Sequence, residues 1–176
     1  MKSIYKGIIF SAVIFFAGKT VCSKKRTQYT VEQEQLVQEI KEKAAAGRQV
    51  VLFGDVEKLS LLAGVDLSWL NLMDSSFPKG NFKGAYLIGT NFSRANLIGA
   101  FFQKANLTDA NLTKASLNKA NLTKANLTNA NFTGADLSDV VWTNAKMQGA
   151  NFAEAQNMPS SMKEEARRQG AINVPE

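Results

Sequence analysis

The side chains that carry most enzymatic and metal chemistry are scarce in this chain. It has no histidine, which removes the commonest general base and metal ligand. Its one cysteine, Cys22, sits beside an apolar run near the N-terminus. No glycine-rich phosphate loop or nucleophile elbow is present. Asp136 and Asp139 could work as an acid and base pair, but they stand three residues apart with no cleft implied. We therefore expect no catalytic residue, no cofactor and no metal. What remains is binding chemistry of three kinds. Lys104, Lys114, Lys119 and Lys124 offer positive charge to lipid headgroups, polysaccharide or another anion. Tyr86, Ile88, Ile98 and Phe101 offer apolar contact, and Thr108, Thr113, Thr123, Thr128, Thr133 and Thr143 offer hydroxyls.

The element that must position these residues is a repeat of five. From Leu67 to Phe152 a large apolar residue recurs at every fifth position, as in Leu107, Leu112, Leu117, Leu122, Leu127 and Phe132. A small residue, most often Ala, lies two before it, and Asn or Asp usually one before it. A straight α-helix advances about 500° in five residues, so the leucines would spiral around every face. A straight strand alternates its faces, so an odd step sends successive leucines to opposite sides. One interior can hold them all only if the chain bends inward once per repeat, closing a coil in four repeats and stacking residue n on n+20. Neighbouring strands lie about 4.8 Å apart, so eighteen repeats build a coil roughly 22 Å tall. Asn and Gly tolerate the dihedrals that corners demand.

This pattern, best seen in Ala120–Gly134, resembles the pentapeptide-repeat family, whose repeat is Ala, Asp or Asn, Leu and two variable residues. The resemblance covers about half of the chain. It implies an all-β solenoid, a right-handed quadrilateral parallel β-helix. Val65, Leu70, Ser75, Gly80 and Thr90 depart from Ala early, and Val140, Val141 and Trp142 enlarge a late repeat, which predicts less regular end coils. Some members of the family mimic DNA and bind type II topoisomerases, which requires a long acidic surface. Residues 66–154 carry eight basic against six acidic side chains, which counts against that reading.

Residues 1–23 read as a secretory signal segment: Lys2 and Lys6 precede the uncharged apolar run 7–18, and Lys19 follows it. Twelve residues are too few to span a membrane, which takes about twenty. Cleavage after Ser23, lipidation of Cys22 and an uncleaved anchor remain open. Each implies a periplasmic or secreted location, or one anchored on the membrane. Losing this segment removes three lysines and lowers the net charge from +6 to +3. Residues 24–64 read as an N-terminal cap, with a helix over 30–46 opened by a Thr30 and Gln33 capping box and a short strand over 49–53. Residues 65–157 are the repeats. In 158–176, Ser161 and Glu164 predict a second capping box for a helix over 161–169. Caps are needed because an open coil exposes strand edges and core.

The register places Phe101 and Val141 on one wall with Asn81 and Asn121, and Tyr86 and Ile88 on the next, with Ile98 at a similar height. We expect these four apolar residues to gather in the lower coils and the N-terminal segment to fold over them; a partner is the alternative. Lys104 stacks on Lys124, while Lys114 and Lys119 occupy two other corners. The threonine arrays are too short for an ice-binding wall, and threonine is a good strand residue. Nothing resembles the aromatic-lined groove of a nucleic-acid binder. The expected function is therefore non-catalytic: an exported bacterial module that is structural or contacts a protein, an anionic polymer or a lipid surface. Secretion as an effector of a host-associated bacterium is a variant of the same class.

Overall fold

Parallel bridges join residues twenty apart in four columns, and these define the walls of a coiled β-helix. Wall 1 runs through Asp66, Tyr86, Asn106, Asn126 and Lys146. Wall 2 runs through Asn71, Asn91, Asn111, Asn131 and Asn151. Wall 3 holds Ser76, Asn96, Ser116, Asp136 and Gln156, and wall 4 holds Asn81, Phe101, Asn121 and Val141. The computed structural model describes residues 29–52 and 55–176. Residues 1–23, expected to be a signal segment, lie outside the described residues.

One repeat shows why the sequence takes this shape. In Ala110–Lys114 every backbone N–H has a partner, as burial requires. Ala110 closes the preceding turn onto Leu107 O at 3.1 Å, and Asn111 donates down to Thr90 O at 3.0 Å. Leu112 and Lys114 donate up to Asn131 O and Thr133 O, at 2.7 and 2.8 Å. The remaining N–H, that of Thr113, goes to the Oδ1 of Asn111 at 3.0 Å. Asn or Asp before the large residue is thus a built-in acceptor, an Asx turn repeated around the coil. Every corner from Trp69 to Glu154 has positive φ at its second turn residue, as a type II turn demands. Glycine or asparagine suits that conformation, yet Lys104, Lys114, Lys119 and Lys124 adopt it with φ from 57° to 61°. Each such lysine holds a backbone conformation that disfavours side chains by about 1 kcal/mol or more.

The inward residues form one core, with Leu67, Leu87, Phe102, Leu117 and Phe132 fully buried. The early departures from Ala do not loosen the coil. The Thr90 hydroxyl donates to Leu67 O at 2.9 Å, and the Ser75 hydroxyl accepts from Val50 N at 3.0 Å, so both buried polar groups are satisfied. Gly80 makes room for aromatic packing: a Cβ there would meet the Phe82 ring at 2.8 Å. Phe82 in turn stacks on Phe102 with ring centroids 5.0 Å apart.

At the lower end the coil starts one repeat earlier than the sequence reading placed it. Leu62 is fully buried, and Gly64 has the corner φ of +69°. Helix α1, Val31–Ala45, opens with the expected capping box and buries Leu36, Val37, Ile40 and Ala44 in the common core. Its Gln33 side chain donates to Leu61 O and Ala63 O, both at 3.0 Å. Within the strand expected at 49–53, Val51 bridges Ser76; Phe53 lies outside the described residues. A short helix that sequence did not suggest, α2 at Val56–Ser60, follows, capped by Asp55.

The upper end differs. Helix α3, Ser160–Arg168, starts after Pro159 and has no side-chain cap, so the expected Ser161 and Glu164 box does not form. Proline restricts the residue before it and presets its own φ, which puts the helix start one residue earlier. Met162 and Ala166 are fully buried over the coil. The Gln169 amide then replaces a missing peptide group: it donates to Ala145 O at 3.1 Å and accepts from Met147 N at 2.8 Å. Gly170 O takes Gly149 N at 3.1 Å, completing wall 1, while Ile172 pairs with Ala150 and Phe152 on wall 2.

Candidate functional site

The four walls share a backbone but not a chemistry. Wall 1 outside carries Asp66, Asp109 and Lys146, and wall 2 carries Asp74, Glu154, Arg94 and Lys114. Wall 3 balances Asp136 and Asp139 with Lys79 and Lys119. Wall 4 has Lys83, Lys104 and Lys124 and no carboxylate in any of its rows 80–84, 100–104, 120–124 and 140–144. The net positive charge of the coil therefore sits on one side.

Pairing sharpens the contrast. On wall 2 the Arg94 guanidinium meets Asp74 at 2.5 Å and holds that carboxyl below the usual range, so this cation is already neutralised. On wall 3, hydrogen bonds from the Asn157 and Ser138 side chains lower the Asp136 carboxyl likewise. Among the described residues, none of Lys83, Lys104 and Lys124 makes a salt bridge. Lys83 instead lies over the Phe101 ring, its Nζ 5.3 Å from the centroid. Lys83, Gly84, Gln103 and Lys104 line a shallow cleft of about 450 Å³. The Gln103 Oε1 beside them is buried with no hydrogen-bond partner among the described residues, an acceptor that a ligand hydroxyl or amide would satisfy.

The residues singled out from sequence divide accordingly. Phe101, Lys104 and Lys124 lie on wall 4, and Lys119 stands at the corner it shares with wall 3. Lys114 stands at the corner between walls 2 and 3, diagonally opposite the corner of Lys104 and Lys124. Tyr86 and Ile88 belong to wall 1 and Ile98 to wall 3, so the four apolar residues wrap around three walls and do not form one patch. Nor does the described N-terminal segment fold over them: Tyr86 and Ile98 are 42% exposed and Phe101 39%. That segment packs its apolar face on the end of the coil, where buried core is available, and leaves the sides free. Sequence reasoning missed Lys83 and Gln103. Both occupy the position after the large apolar residue, and adding twenty to Lys83 would have found the pair. Asp136 and Asp139 are an intermediate and an exposed group on wall 3, and the first is engaged by Ser138 and Asn157.

Residues 80–113, 105–141 and 125–156 match the family described as pentapeptide repeats (8 copies). No curated protein matches the chain. Among solved structures it is similar to a pentapeptide repeat protein, Rfr23, from the cyanobacterium Cyanothece 51142, with 36% identity and a TM-score of 0.46. That match covers 47% of this chain and 56% of the other, so the likeness spans little more than half of that relative's length. A pentapeptide repeat protein from the Arabidopsis thaliana thylakoid lumen is 26% identical over 65% of this chain and 85% of its own, with a TM-score of 0.41. QnrB1, a plasmid-mediated fluoroquinolone resistance protein, is 15% identical over 55% of this chain and 68% of its own, with a TM-score of 0.27. With a five-residue register, a twenty-residue bridge and a family match that coincide, the repeat region of this chain belongs to the pentapeptide-repeat family.

Proposed function

We propose that the chain is a non-catalytic interaction module, exported to the bacterial envelope, which holds an anionic polymer or anionic lipid surface against wall 4. One observation carries the reading: wall 4 bears Lys83, Lys104 and Lys124 with no carboxylate in its rows, while the other walls are balanced or acidic. The conformational cost of lysine at φ near 60° supports it, because Lys104 and Lys124 keep their charge where glycine would relax the backbone. The rigid, repeated wall is the kind of extended surface through which solenoids bind. Export rests on the apolar run at 7–18 flanked by lysines.

The test compares two double variants with equal change in net charge. Lys83→Glu with Lys124→Glu strips wall 4, and Lys114→Glu with Lys146→Glu alters other walls. Binding is measured to phosphatidylglycerol vesicles and to polygalacturonate, which separates a lipid source of negative charge from a polysaccharide one. A basic residue near an anionic surface contributes about 1 kcal/mol, so the wall 4 variant should bind at least about tenfold more weakly. The other variant should bind nearly as the native chain does. Equal losses, or no binding by the native chain to either probe, would overturn the proposal.

A further inference from the structure

The upper edge of wall 4 borders a groove beside α3. Where one coil lies on another, the large residue donates its N–H upward, the corner residue does so at most levels, and the small residue two before the large one accepts from above. Leu122 N to Val141 O at 2.6 Å, Lys124 N to Thr143 O at 2.9 Å and Val141 N to Ala120 O at 3.0 Å are one such set. At the top, Gln169 and Gly170 supply such partners for wall 1, Ile172 pairs with Ala150 and Phe152 of wall 2, and Gln156 pairs with Ala135 and Leu137 of wall 3, while the corner N–H groups of Asp139 and Glu154 have no partner among the described residues. On wall 4 the chain turns into α3 where the next rung would have run. Among the described residues, the N–H groups of Trp142 and Asn144 and the C=O of Val140 have no hydrogen-bond partner. They face a groove of about 520 Å³ between Val140–Ala145 and the side of α3 that presents Ser161, Glu165 and Arg168.

We infer that this groove takes one extended peptide segment of a partner protein, added to wall 4 as a parallel rung. The hydrogen-bond pattern specifies the occupant. A peptide residue lying over Val141 donates its N–H to Val140 O and accepts from Trp142 N, and the residue two further on accepts from Asn144 N. Main-chain groups arrayed this way are what strand addition uses. Val141 is 45% exposed, so the residue above it is apolar and β-branched, as cross-strand stacking favours. Glu165 and Arg168 pair with each other, so the groove selects no charge. A second coil stacked end to end is blocked, because α3 covers the axis with Met162 and Ala166 fully buried beneath it. A single strand slides in beside that helix. The site is separate from the lysine face and does not depend on it.

Amide hydrogen exchange on the full chain, followed residue by residue by NMR, tests the inference. The probe is an acetylated, amidated peptide of alternating Thr and Val. In the free chain the Trp142 and Asn144 amides should exchange at least about tenfold faster than those of Phe152 and Gly149, which are paired. Adding the peptide should slow Trp142 and Asn144 by about tenfold or more, and N-methylation of the valine set over Val141 should abolish the effect. Three results overturn the proposal. The first is Trp142 and Asn144 already protected in the free chain at all concentrations, which would mean that a segment of the chain fills the edge. The second is protection that grows with protein concentration alone, which would assign the edge to a second copy. The third is a peptide that leaves both amides unprotected.

Discussion

Walls 2 and 4 lie on the same coil, have the same period and bury the same kind of side chain, yet they treat water differently. Wall 2 spends its polar groups on itself. Asn91 donates to Asn71 at 2.9 Å and Asn111 to Asn91 at 3.2 Å, and Thr113 and Thr133 give their hydroxyls to Asn111 and Asn131, each at 2.6 Å. Wall 4 interrupts that column with Phe101 and Val141, and among the described residues its lysines make no salt bridge, its Gln103 acceptor is unused and its upper edge is unfilled. Inward positions therefore set the backbone, and outward positions decide whether a wall is closed chemically or left to engage something else.

The largest effect should be shared by the two walls. Leu112 and Leu122 are equally buried, so replacing either with Ala should cost about 2–5 kcal/mol in denaturant unfolding, through lost contact and a cavity. A loss under about 1 kcal/mol at Leu122 alone would show that wall 4 is not packed like wall 2. A smaller effect should separate them. Asn111→Ala removes an acceptor used by the N–H and hydroxyl of Thr113 and a donor to Asn91, whereas Asn121→Ala removes one acceptor, for Thr123 N. We expect about 1–2 kcal/mol for the first and about 0.5–1 kcal/mol for the second. The reverse order would break the comparison. The smallest effect is on wall 3, which supplies a titrating member of the ladder. Hydrogen bonds from the side chains of Asn157 and Ser138 depress the Asp136 carboxyl in the folded state. A depressed carboxyl stabilises above its unfolded pKa of about 3.9, and this stabilisation is lost as pH falls through the folded value. Asp136→Asn should melt within a few degrees of the native chain at pH 7, and the native chain should lose ground to it below about pH 4. An unchanged gap between the two at pH 7 and pH 3 would show that the carboxylate is not held.

Much of this architecture is legible in the sequence because the repeat is strict. A side chain such as Leu117 has one inward direction and one height, so counting by five and by twenty locates it. The ends obey no period. Gln169 works as a peptide surrogate because α3 happens to deliver one amide to Ala145 and Met147, and no spacing announces that. The short helix at Val56–Ser60 is similarly local, resting on the Asp55 cap. Two of the three lysines of the basic face, Lys104 and Lys124, were visible in the sequence. The third, Lys83, was not, because grouping lysines by height ignores the wall on which they stand. That is why Lys114 joined the set and Lys83 did not. Leu62 escaped because its neighbours Leu61 and Ala63 lack the Asn that marks later repeats.

A coil of four repeats also restricts how such a chain can change length. Deleting or duplicating twenty residues removes or adds one whole storey and returns α3 to the same compass bearing over wall 4. A change of five residues instead swings the helix and everything after it by a quarter turn, so that Gln169 arrives over a different wall and the unfilled edge migrates to a neighbouring one. Duplication within the repeats thus has two outcomes. Whole storeys alter only the area of the basic face, and partial storeys re-aim the upper end relative to it. Genetic drift in repeat number could leave stability almost untouched while it changes which surfaces lie side by side.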